Sequence, residues 1–288
     1  MPPAVSVVIV NYNTGDDLRR CLSSLDEGLA TVAWDCIVID NVSTDGSSEL
    51  NKPDNRLRTY RNTENVGFAR AVNQGLALTE GVEVLILNPD CELLPGAIAV
   101  LHAELGRYPD CVVVGPRVVD PDGTIQGSAR GDPTIFTGLF GRSSLLTRRF
   151  PRSLLAKQNI RTLAEVEPGD TSVVVDWVAG SCMLARRDAL DAVGGLDERF
   201  FLYWEDADLC RRMRVRGGQI RYMPGATIIH RVGGSTEKVP MLAIRAFHAS
   251  AYLYYTTHVA RSPFNPARWF AKFLLWLRRE WLLRRAEG

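Results

Sequence analysis

Short apolar runs alternate with amphipathic segments along the first 120 positions of the chain. The runs are almost unbroken by polar residues, which is typical of strands buried on both faces of a parallel sheet. They lie at Val5–Val10, Cys36–Ile39, Leu57–Tyr60, Val82–Leu87 and Val112–Val114. The segments between them place apolar residues at helical spacing. This alternation predicts an α/β fold with a doubly wound, mostly parallel sheet and helices on both faces.

Polar residues follow three of these predicted strands. They are Asn11 and Asn13 after the first strand, Asp40 and Asn41 after the second, and Asn88-Pro89-Asp90 after the fourth. Pro89 ends its strand because proline has no N–H to donate to a ladder. In open α/β sheets, ligands bind at the carboxyl ends of the strands. The layout therefore predicts a nucleotide site at this edge.

The second half of the chain is less regular. Residues 127–171 are rich in Gly, Ser and Arg, and a loop of this length is expected to be a lid, an acceptor-facing segment or a plain insertion. Order returns at Val173–Val178. A later helix opens with the acids of the WEDAD segment, although acids in a first turn also suit the helix dipole. Two short strands, Gln219–Met223 and Ala226–Ile229, then lead to His230.

The tail is predicted to be helical from about Pro240, and its last helix has one apolar face flanked by basic residues. The face consists of Phe270, Phe273, Leu274, Leu277 and Trp281. A basic amphipathic helix with tryptophans suits an anionic membrane interface. The alternative is an ordinary docking helix packed on the domain or on a second subunit.

The composition of the chain argues against several classes of protein. A net charge of +1 over 288 residues argues against a dedicated nucleic-acid binder. The six cysteines have no C-x-x-C spacing, so they are expected to be small core residues in a reducing cytoplasm. The amino terminus reads as a first strand and not as a signal peptide. No run of about 18 uncharged apolar residues is present, so no membrane span is expected.

In order and spacing, several segments of the chain resemble the inverting glycosyltransferases of family 2, which have the GT-A fold. The segments are VSVVIVNYN, VIDNVSTDGS, NVGFARAVNQG, LILNPD, WVAGSCMLARRDAL, GGLDERFFLYWEDADLCRRMRVRG and the terminal His230. The resemblance covers about residues 5–125 and 173–235. It is strongest to the rhamnosyltransferase-like subgroup, where NPD stands in place of an Asp-x-Asp motif.

The resemblance assigns the donor site to the strand ends. It implies that Asp40 accepts a hydrogen bond from the N3–H of a pyrimidine, although an Asp at a strand end also forms turns. Asn11 and Asn13 would frame the base or ribose. The remaining nucleotide-binding candidates are Asn41, Arg70, Asn88 and Asp90.

The resemblance also implies a divalent cation, Mn²⁺ or Mg²⁺, held by Asp90 and His230. One carboxylate plus phosphate oxygens is a usual arrangement for these ions, and imidazole suits Mn²⁺ better than Mg²⁺. Asn88 replaces the first acid of Asp-x-Asp and carries no charge. Metal binding without the nucleotide is therefore expected to be weak.

The catalytic candidates are the acids Glu205 and Asp206. A carboxylate can take the proton of an attacking hydroxyl. The resemblance gives this role to Asp206. Glu205 would then orient the acceptor, or act as the base in place of Asp206. The acceptor-binding candidates, which also suit a packed core, are Trp177, Gly180, Ser181, Tyr203 and Trp204.

The sequence thus predicts a metal-dependent inverting glycosyltransferase that moves a sugar from a nucleotide-diphosphate donor to a lipid-linked or polysaccharide acceptor. Rhamnose from dTDP-rhamnose or a sugar from a UDP donor both fit. An inert nucleotide- or glycan-binding scaffold is the alternative. The loop after the first strand is acidic and poor in glycine, which argues against a nucleotidyltransferase and a dehydrogenase.

The expected organisation is a GT-A domain at residues 1–238, followed by a helical region at residues 239–288. Within the domain, residues 1–125 would bind the nucleotide sugar and residues 173–238 the acceptor. The protein is expected to be cytoplasmic and peripheral at the inner face of the cell membrane, with a homodimer as a further option.

Overall fold

The computed structural model describes residues 3–49, 54–132, 171–231 and 240–287. Eleven strands lie within these ranges. They are β1 (Val5–Asn11), β2 (Trp34–Asp40), β3 (Leu57–Arg61), β4 (Glu83–Leu87), β5 (Cys91–Leu93), β6 (Cys111–Val119), β7 (Ala129–Arg130), β8 (Val173–Val175), β9 (Trp177–Val178), β10 (Cys182–Arg186) and β11 (Gln219–His230).

One mixed sheet of nine strands organises the described part of the chain. Its order is β3-β2-β1-β4-β10-β6-β11-β5, with β8 pairing to β11, and β7 and β9 form a separate pair. The neighbours from β3 to β4 are parallel, as are β6 and β11. β10 lies antiparallel between β4 and β6. The predicted mostly parallel sheet is confirmed, and an antiparallel strand divides its two parallel portions.

Eight α-helices and one π-helical turn are present in the described ranges. They are α1 (Asp16–Ser23), α2 (Leu25–Leu29), α3 (Phe68–Ala77), α4 (Ala97–Arg107), α5 (Arg187–Val193), α6 (Glu205–Val215), α7 (Pro240–Tyr254), the π-helical turn (Tyr255–Val259) and α8 (Pro266–Glu287). Helix α5 ends at Gly194, which takes the left-handed conformation that favours glycine.

The core occupies both faces of the sheet. Successive residues of β1 alternate between two buried clusters: Val7 and Ile9 belong to one, and Val8 and Val10 to the other. Helices α1, α2 and α4 cover the first face, while α3, α5 and α6 cover the second. Burial of both faces explains why the strand sequences are apolar without alternation.

Some boundaries differ from the sequence prediction. The two short strands expected before His230 are one strand, β11, because a register shift between Met223 and Thr227 absorbs Pro224 and Gly225. His230 is still its last residue. The helix expected to run to Leu25 ends at Ser23. Strand β5 had no distinct sequence signal, since three residues are too few to show a period.

The remaining predictions on architecture have mixed outcomes. All six cysteines are buried and unpaired, as expected of core residues. Most of the segment proposed as a lid, residues 133–170, lies outside the described residues. The tail is helical from Pro240, as predicted. None of the helices in the described ranges is both long and apolar enough to cross a membrane.

Candidate active site

Asn11 is the centre of a buried polar network at the carboxyl end of β1. Its amide nitrogen lies within hydrogen-bond distance of Asp40 Oδ1, Ser43 Oγ and Ser47 Oγ, at 2.9, 3.1 and 3.0 Å. Its amide oxygen accepts a bond from the Thr14 hydroxyl at 2.6 Å. Because Asn11 is fully buried, its side chain serves to join the loops that follow β1 and β2.

Asp40 is also fully buried and internally bonded. Its Oδ2 accepts a hydrogen bond from the Ser43 amide at 3.1 Å and lies 3.4 Å from Arg61 Nε. Each carboxylate oxygen keeps a second lone pair, so the predicted contact with a base is chemically open. Asn13 Oδ1 accepts a bond from the Thr44 amide at 2.8 Å. These contacts shape the wall of the predicted nucleotide site.

The other nucleotide candidates after β2 and in α3 differ in exposure. Asn41 is buried, donates to the Gly67 carbonyl at 3.3 Å and accepts from Asn62 Nδ2 at 2.8 Å. Arg70 is exposed on α3, and its nearest acid is Glu198, 3.9 Å away. An exposed guanidinium near the edge of the sheet remains available to a diphosphate.

Asp90 and His230 meet beside the end of β4, as the sequence predicted. His230 Nε2 lies 3.2 Å from Asp90 Oδ1, and no donor among the described residues makes a hydrogen bond of good geometry to that oxygen. Asn88 joins the same corner through its backbone amide, which donates to the Ser181 carbonyl at 2.8 Å.

Gln126 orients the His230 ring through two contacts. Its Oε1 lies 3.1 Å from His230 Nδ1, and its amide nitrogen donates to the His230 carbonyl at 2.9 Å and to Asp120 Oδ1 at 2.7 Å. An amide oxygen only accepts, so Nδ1 is the donor of this contact and the Nε2 side of the ring faces Asp90.

A divalent cation fits this corner. A ring nitrogen and a carboxylate oxygen 3.2 Å apart leave room for a proton or a cation to join them. Two ligands at right angles around a hard cation, with bonds of about 2.1 Å, lie about 3 Å apart. Cys91 is within the same group, but burial raises the pKa of its thiol, which donates to the Ser181 carbonyl at 3.3 Å. The donors suited to Mn²⁺ or Mg²⁺ are therefore Asp90 and His230.

The two predicted catalytic acids open α6, where Glu205 is buried and Asp206 is half-buried. Burial raises the pKa of Asp206, although the Gly180 amide donates to its Oδ2 at 2.9 Å and Arg130 lies near enough to oppose the shift. Burial and the Asp206 charge raise the pKa of Glu205 well above its ordinary value. Oε2 of Glu205 is buried without a hydrogen-bond partner in the described chain. A carboxylate with a raised pKa is a better proton acceptor at neutral pH.

The turn before these acids has a strained backbone. Tyr203 and Trp204 have φ values of 68° and 71°, in the left-handed region that bulky residues avoid. The turn packs against the start of α3: Phe68 donates its amide hydrogen to the Phe201 carbonyl at 2.7 Å, and a Cβ at Gly67 would lie 2.6 Å from that oxygen. Strain of this kind persists where the surroundings hold it, often at functional sites.

The C-terminal helices hold this turn from the other side. The Phe247 ring lies 5.9 Å from the rings of both Tyr203 and Trp204, and Ser250 donates to the Leu202 carbonyl at 2.9 Å. Beyond α7, the π-helical turn contacts α6 directly. There His258 Nε2 lies 2.6 Å from Oδ1 of the fully buried Asp208. Asp208 therefore contacts the C-terminal tail, whereas Asp206, on the same helix, accepts the hydrogen bond from Gly180.

Two of the predicted acceptor residues, Gly180 and Ser181, connect the acids to the corner at Asp90 and His230. Gly180 contacts Asp206 through its amide, and the Ser181 carbonyl accepts bonds from Asn88 and Cys91. Trp177 lies farther along the same segment, where its indole donates to the Gly131 carbonyl at 2.9 Å. Gly180 and Ser181 thus link Asp206 to the residues on either side of Asp90.

Three residues of this region were missed in the sequence. Gln126 orients His230, Arg61 pairs with Asp40, and His258 pairs with Asp208. Gln126 and His258 act across 104 and 50 positions, so no local motif could reveal them. Arg61 ends β3 beside Asp40 in the parallel register, a neighbour relation that the predicted strand order could have suggested.

Comparison with known proteins agrees with this geometry. The model of "Glycosyl transferase family 2" matches residues 6–194, and that of "Glycosyl transferase family group 2" matches residues 159–283. The chain is 33% identical to the N-acetylglucosaminyl-diphospho-decaprenol L-rhamnosyltransferase of Mycobacterium tuberculosis, across 99% of this chain and 94% of that protein. It is also 43% identical to the rhamnosyltransferase WbbL of Escherichia coli, over 21% of this chain and 23% of that protein.

Solved structures share the fold at low sequence identity. A mannosyltransferase from Pyrobaculum calidifontis, in complex with GDP-Man and Mn²⁺, aligns with a TM-score of 0.59 at 17% identity and covers all of this chain and 74% of its own. GalNAc-T7, with UDP, GalNAc and Mn²⁺, aligns with a TM-score of 0.60 at 17% identity, over 89% of this chain and 50% of its own. The sequence matches and the GT-A-like sheet together show that the chain belongs to glycosyltransferase family 2.

Proposed function

We propose that this glycosyltransferase moves rhamnose from dTDP-rhamnose to a lipid-linked sugar diphosphate, with inversion at the anomeric carbon. One observation carries the proposal: a relative named as an N-acetylglucosaminyl-diphospho-decaprenol rhamnosyltransferase matches the chain almost from end to end. The link from Asp206 to the residues on either side of Asp90 is consistent with it. An acceptor of this class lies in a membrane, so the enzyme would work at the anionic inner face of the cell membrane.

In this proposal Asp206 is the general base. The acceptor hydroxyl oxygen attacks the anomeric carbon, the bond from that carbon to the diphosphate breaks, and the hydroxyl proton passes to the Asp206 carboxylate. The Gly180 amide holds Oδ2 of Asp206, which fixes its direction. Glu205, whose pKa is raised by burial, would hydrogen-bond to the acceptor.

The donor would be held by the strand ends. Asp40, ordered by Asn11 and Ser43, would accept the N3–H of the pyrimidine. Arg70 and Asn88 would lie toward the diphosphate. Asp90 and His230 would hold Mn²⁺ or Mg²⁺, and such a cation, when bound, neutralises charge on a leaving diphosphate. Gln126 would orient the His230 ring for that purpose.

Thermal unfolding with nucleotides tests the donor site. The protein would be heated with dTDP, UDP or GDP, each with and without Mn²⁺, as wild type and as Asp90→Asn. A ligand at about 100 times its Kd stabilises by roughly 2.7 kcal/mol. We expect the largest shift with dTDP plus Mn²⁺ and its loss in Asp90→Asn. The exposed Asp110→Asn is the matched control and should keep the shift.

Turnover then tests the reaction. Wild type would be given dTDP-rhamnose or UDP-sugars together with a polyprenyl-diphospho-N-acetylglucosamine. Transfer from dTDP-rhamnose is the expected result. Transfer from a UDP-sugar alone would replace the proposed donor. Nucleotide binding without transfer to any acceptor would favour the inert scaffold.

A further inference from the structure

Helix α8 has apolar residues on two sides. One side packs on α7, where Ala271 and Leu283 are buried and Arg278 lies over the Phe247 ring and 3.3 Å from His248 Nε2. The opposite side, here named the aromatic face, is 44–68% exposed at each position. The aromatic face consists of Trp269, Phe270, Phe273, Trp276, Leu277 and Trp281. A helix that is apolar on both sides is normally covered on both sides.

The aromatic face forms a continuous surface. Its residues recur at intervals of three, four or seven positions, which places them on one side of the helix. The Phe273 and Trp276 rings stack with centroids 6.2 Å apart. Phe264, in the turn before α8, is 90% exposed. A surface patch of this kind marks an interaction site more often than scattered single residues do.

The charge of helix α8 indicates which partner its aromatic face binds. Helix α8 carries six Arg or Lys residues against two Glu residues. Lys272 and Arg284 are exposed, and the Arg285 guanidinium lies 4.7 Å from the Trp281 ring centre. A second copy of the chain would bring the same positive charge against this face. An anionic lipid surface complements it, and tryptophans favour the boundary between headgroups and acyl chains.

We propose that the aromatic face of α8 is a preformed docking surface for an anionic lipid membrane. The helix lies in the plane of the interface, with its aromatic rings among the acyl chains near the headgroups and its cations beside lipid phosphates. It stays packed on α7, so docking requires no unfolding of the tail. Docking itself is independent of the transfer reaction, whereas its benefit to turnover rests on the proposed lipid-linked acceptor.

The position of α7 gives docking a direct connection to the active site. Helix α8 is fixed to α7 through Arg278, and α7 holds the turn at Tyr203 and Trp204 through Phe247 and Ser250. Helices α8 and α7 therefore lie between the membrane surface and the turn that precedes the catalytic acids. A docked enzyme would meet a lipid-linked acceptor with that turn already held in place.

Vesicle flotation of the full chain tests docking. Wild type, Trp269→Ser/Trp276→Ser and the control Val215→Ser/Tyr60→Ser would be mixed with phosphatidylcholine vesicles, with and without phosphatidylglycerol. Val215 and Tyr60 are exposed large apolar residues far from α8 in sequence. We expect wild type and control to float with anionic vesicles, and the α8 variant to bind at least about tenfold more weakly because two aromatic anchors are lost.

A charge variant sharpens the test. Lys272→Gln/Arg284→Gln should weaken binding to anionic vesicles by about fivefold per removed charge and leave binding to neutral vesicles unchanged. Equal flotation of wild type and the α8 aromatic variant would overturn the proposal. So would a dimer that dissociates in the aromatic variant while wild type binds no vesicles, because the face would then join two copies.

Activity separates the two proposals. Each protein would be assayed with a short, water-soluble acceptor and with the same sugar diphosphate in vesicles. The docking proposal predicts that the aromatic variant loses turnover only in vesicles. Turnover of the soluble acceptor without vesicle binding would refute docking alone. Vesicle binding without turnover of either acceptor would refute the proposed reaction and leave docking intact.

Discussion

The two polar clusters at the edge of the sheet differ in how completely their groups are bonded. Around Asn11, the amide nitrogen and oxygen are both engaged, and Asp40 has a partner at each oxygen. Around the acids of α6 and the corner at His230, several buried atoms lack hydrogen-bond partners in the described chain, and three of them belong to predicted site residues. They are Asp90 Oδ1, Trp204 Nε1 and Glu205 Oε2.

This difference distinguishes residues that stabilise the fold from residues that are completed by substrates. A buried polar group without a partner costs about 1–3 kcal/mol, and so it persists only where something else favours it. The second cluster also contains the two residues with left-handed backbone and the two acids with raised pKa. We infer that the Asn11 cluster stabilises the fold, whereas the acid cluster is completed by substrates. The predictions below test this division.

Removing the base should have the largest effect. Asp206→Asn keeps an oxygen for the Gly180 amide but cannot take a proton, so kcat should fall by about 10²–10⁴. Steady-state kinetics at saturating donor measures the change, and the melting temperature checks the fold. Asp191→Asn, an exposed acid on α5, is the control. A variant that keeps more than a third of wild-type kcat would assign the base elsewhere.

Asn11→Ala should destabilise the protein by about 3 kcal/mol, because it leaves Asp40 Oδ1 and the Thr14 hydroxyl without these partners in a buried site. Urea unfolding measures the free energy of unfolding. Asn55→Ala, in an exposed turn, should change it by less than about 0.5 kcal/mol. An equal effect of the two substitutions would show that the Asn11 cluster is not structural.

Glu205→Gln should stabilise the protein at pH 7, because glutamine has no charged form whose burial is unfavourable. The raised pKa means that the folded state keeps a proton which the unfolded state loses near the ordinary value of 4.5. Wild-type stability therefore falls as pH rises through the window from that value to the raised pKa. The gain should vanish below pH 4.5, and urea unfolding at both ends of the window checks this. A loss of stability at pH 7 would contradict the assignment.

Ser250→Ala should have the smallest effect. It removes one hydrogen bond to the Leu202 carbonyl, which contributes about 1 kcal/mol to stability. Because that bond holds the turn before α6, the kcat of Ser250→Ala should be several-fold lower than the kcat of the exposed control Ser262→Ala. Unchanged kcat with reduced stability would limit the contact to a structural role.

Sequence reasoning succeeded where periodicity is local. Apolar runs located the strands of the parallel half, and the polar residues after them mark the true carboxyl ends of β1, β2 and β4. The pairing of Asp90 with His230 was also predicted, through the order of motifs. The strands and their ends depend on neighbours in sequence or on a repeated pattern, whereas the pairing of Asp90 with His230 was predicted only from the family resemblance.

Long-range features could not be predicted. The insertion of β10 between β4 and β6 depends on pairing across about 70 to 100 positions. The burial of Asp40 and the anchoring of Asp208 by His258 depend on which side chains meet after folding. The left-handed backbone at Tyr203 and Trp204 is held by Phe247, and nothing in the local sequence favours it.

The anomeric configuration of the product tests the central claim most directly. NMR of the product made from dTDP-rhamnose would compare the new linkage with that of the donor. A single displacement, with Asp206 taking the proton, requires a linkage of opposite configuration. A retained configuration would contradict the account, because it would require a second displacement or attack from the same face of the sugar.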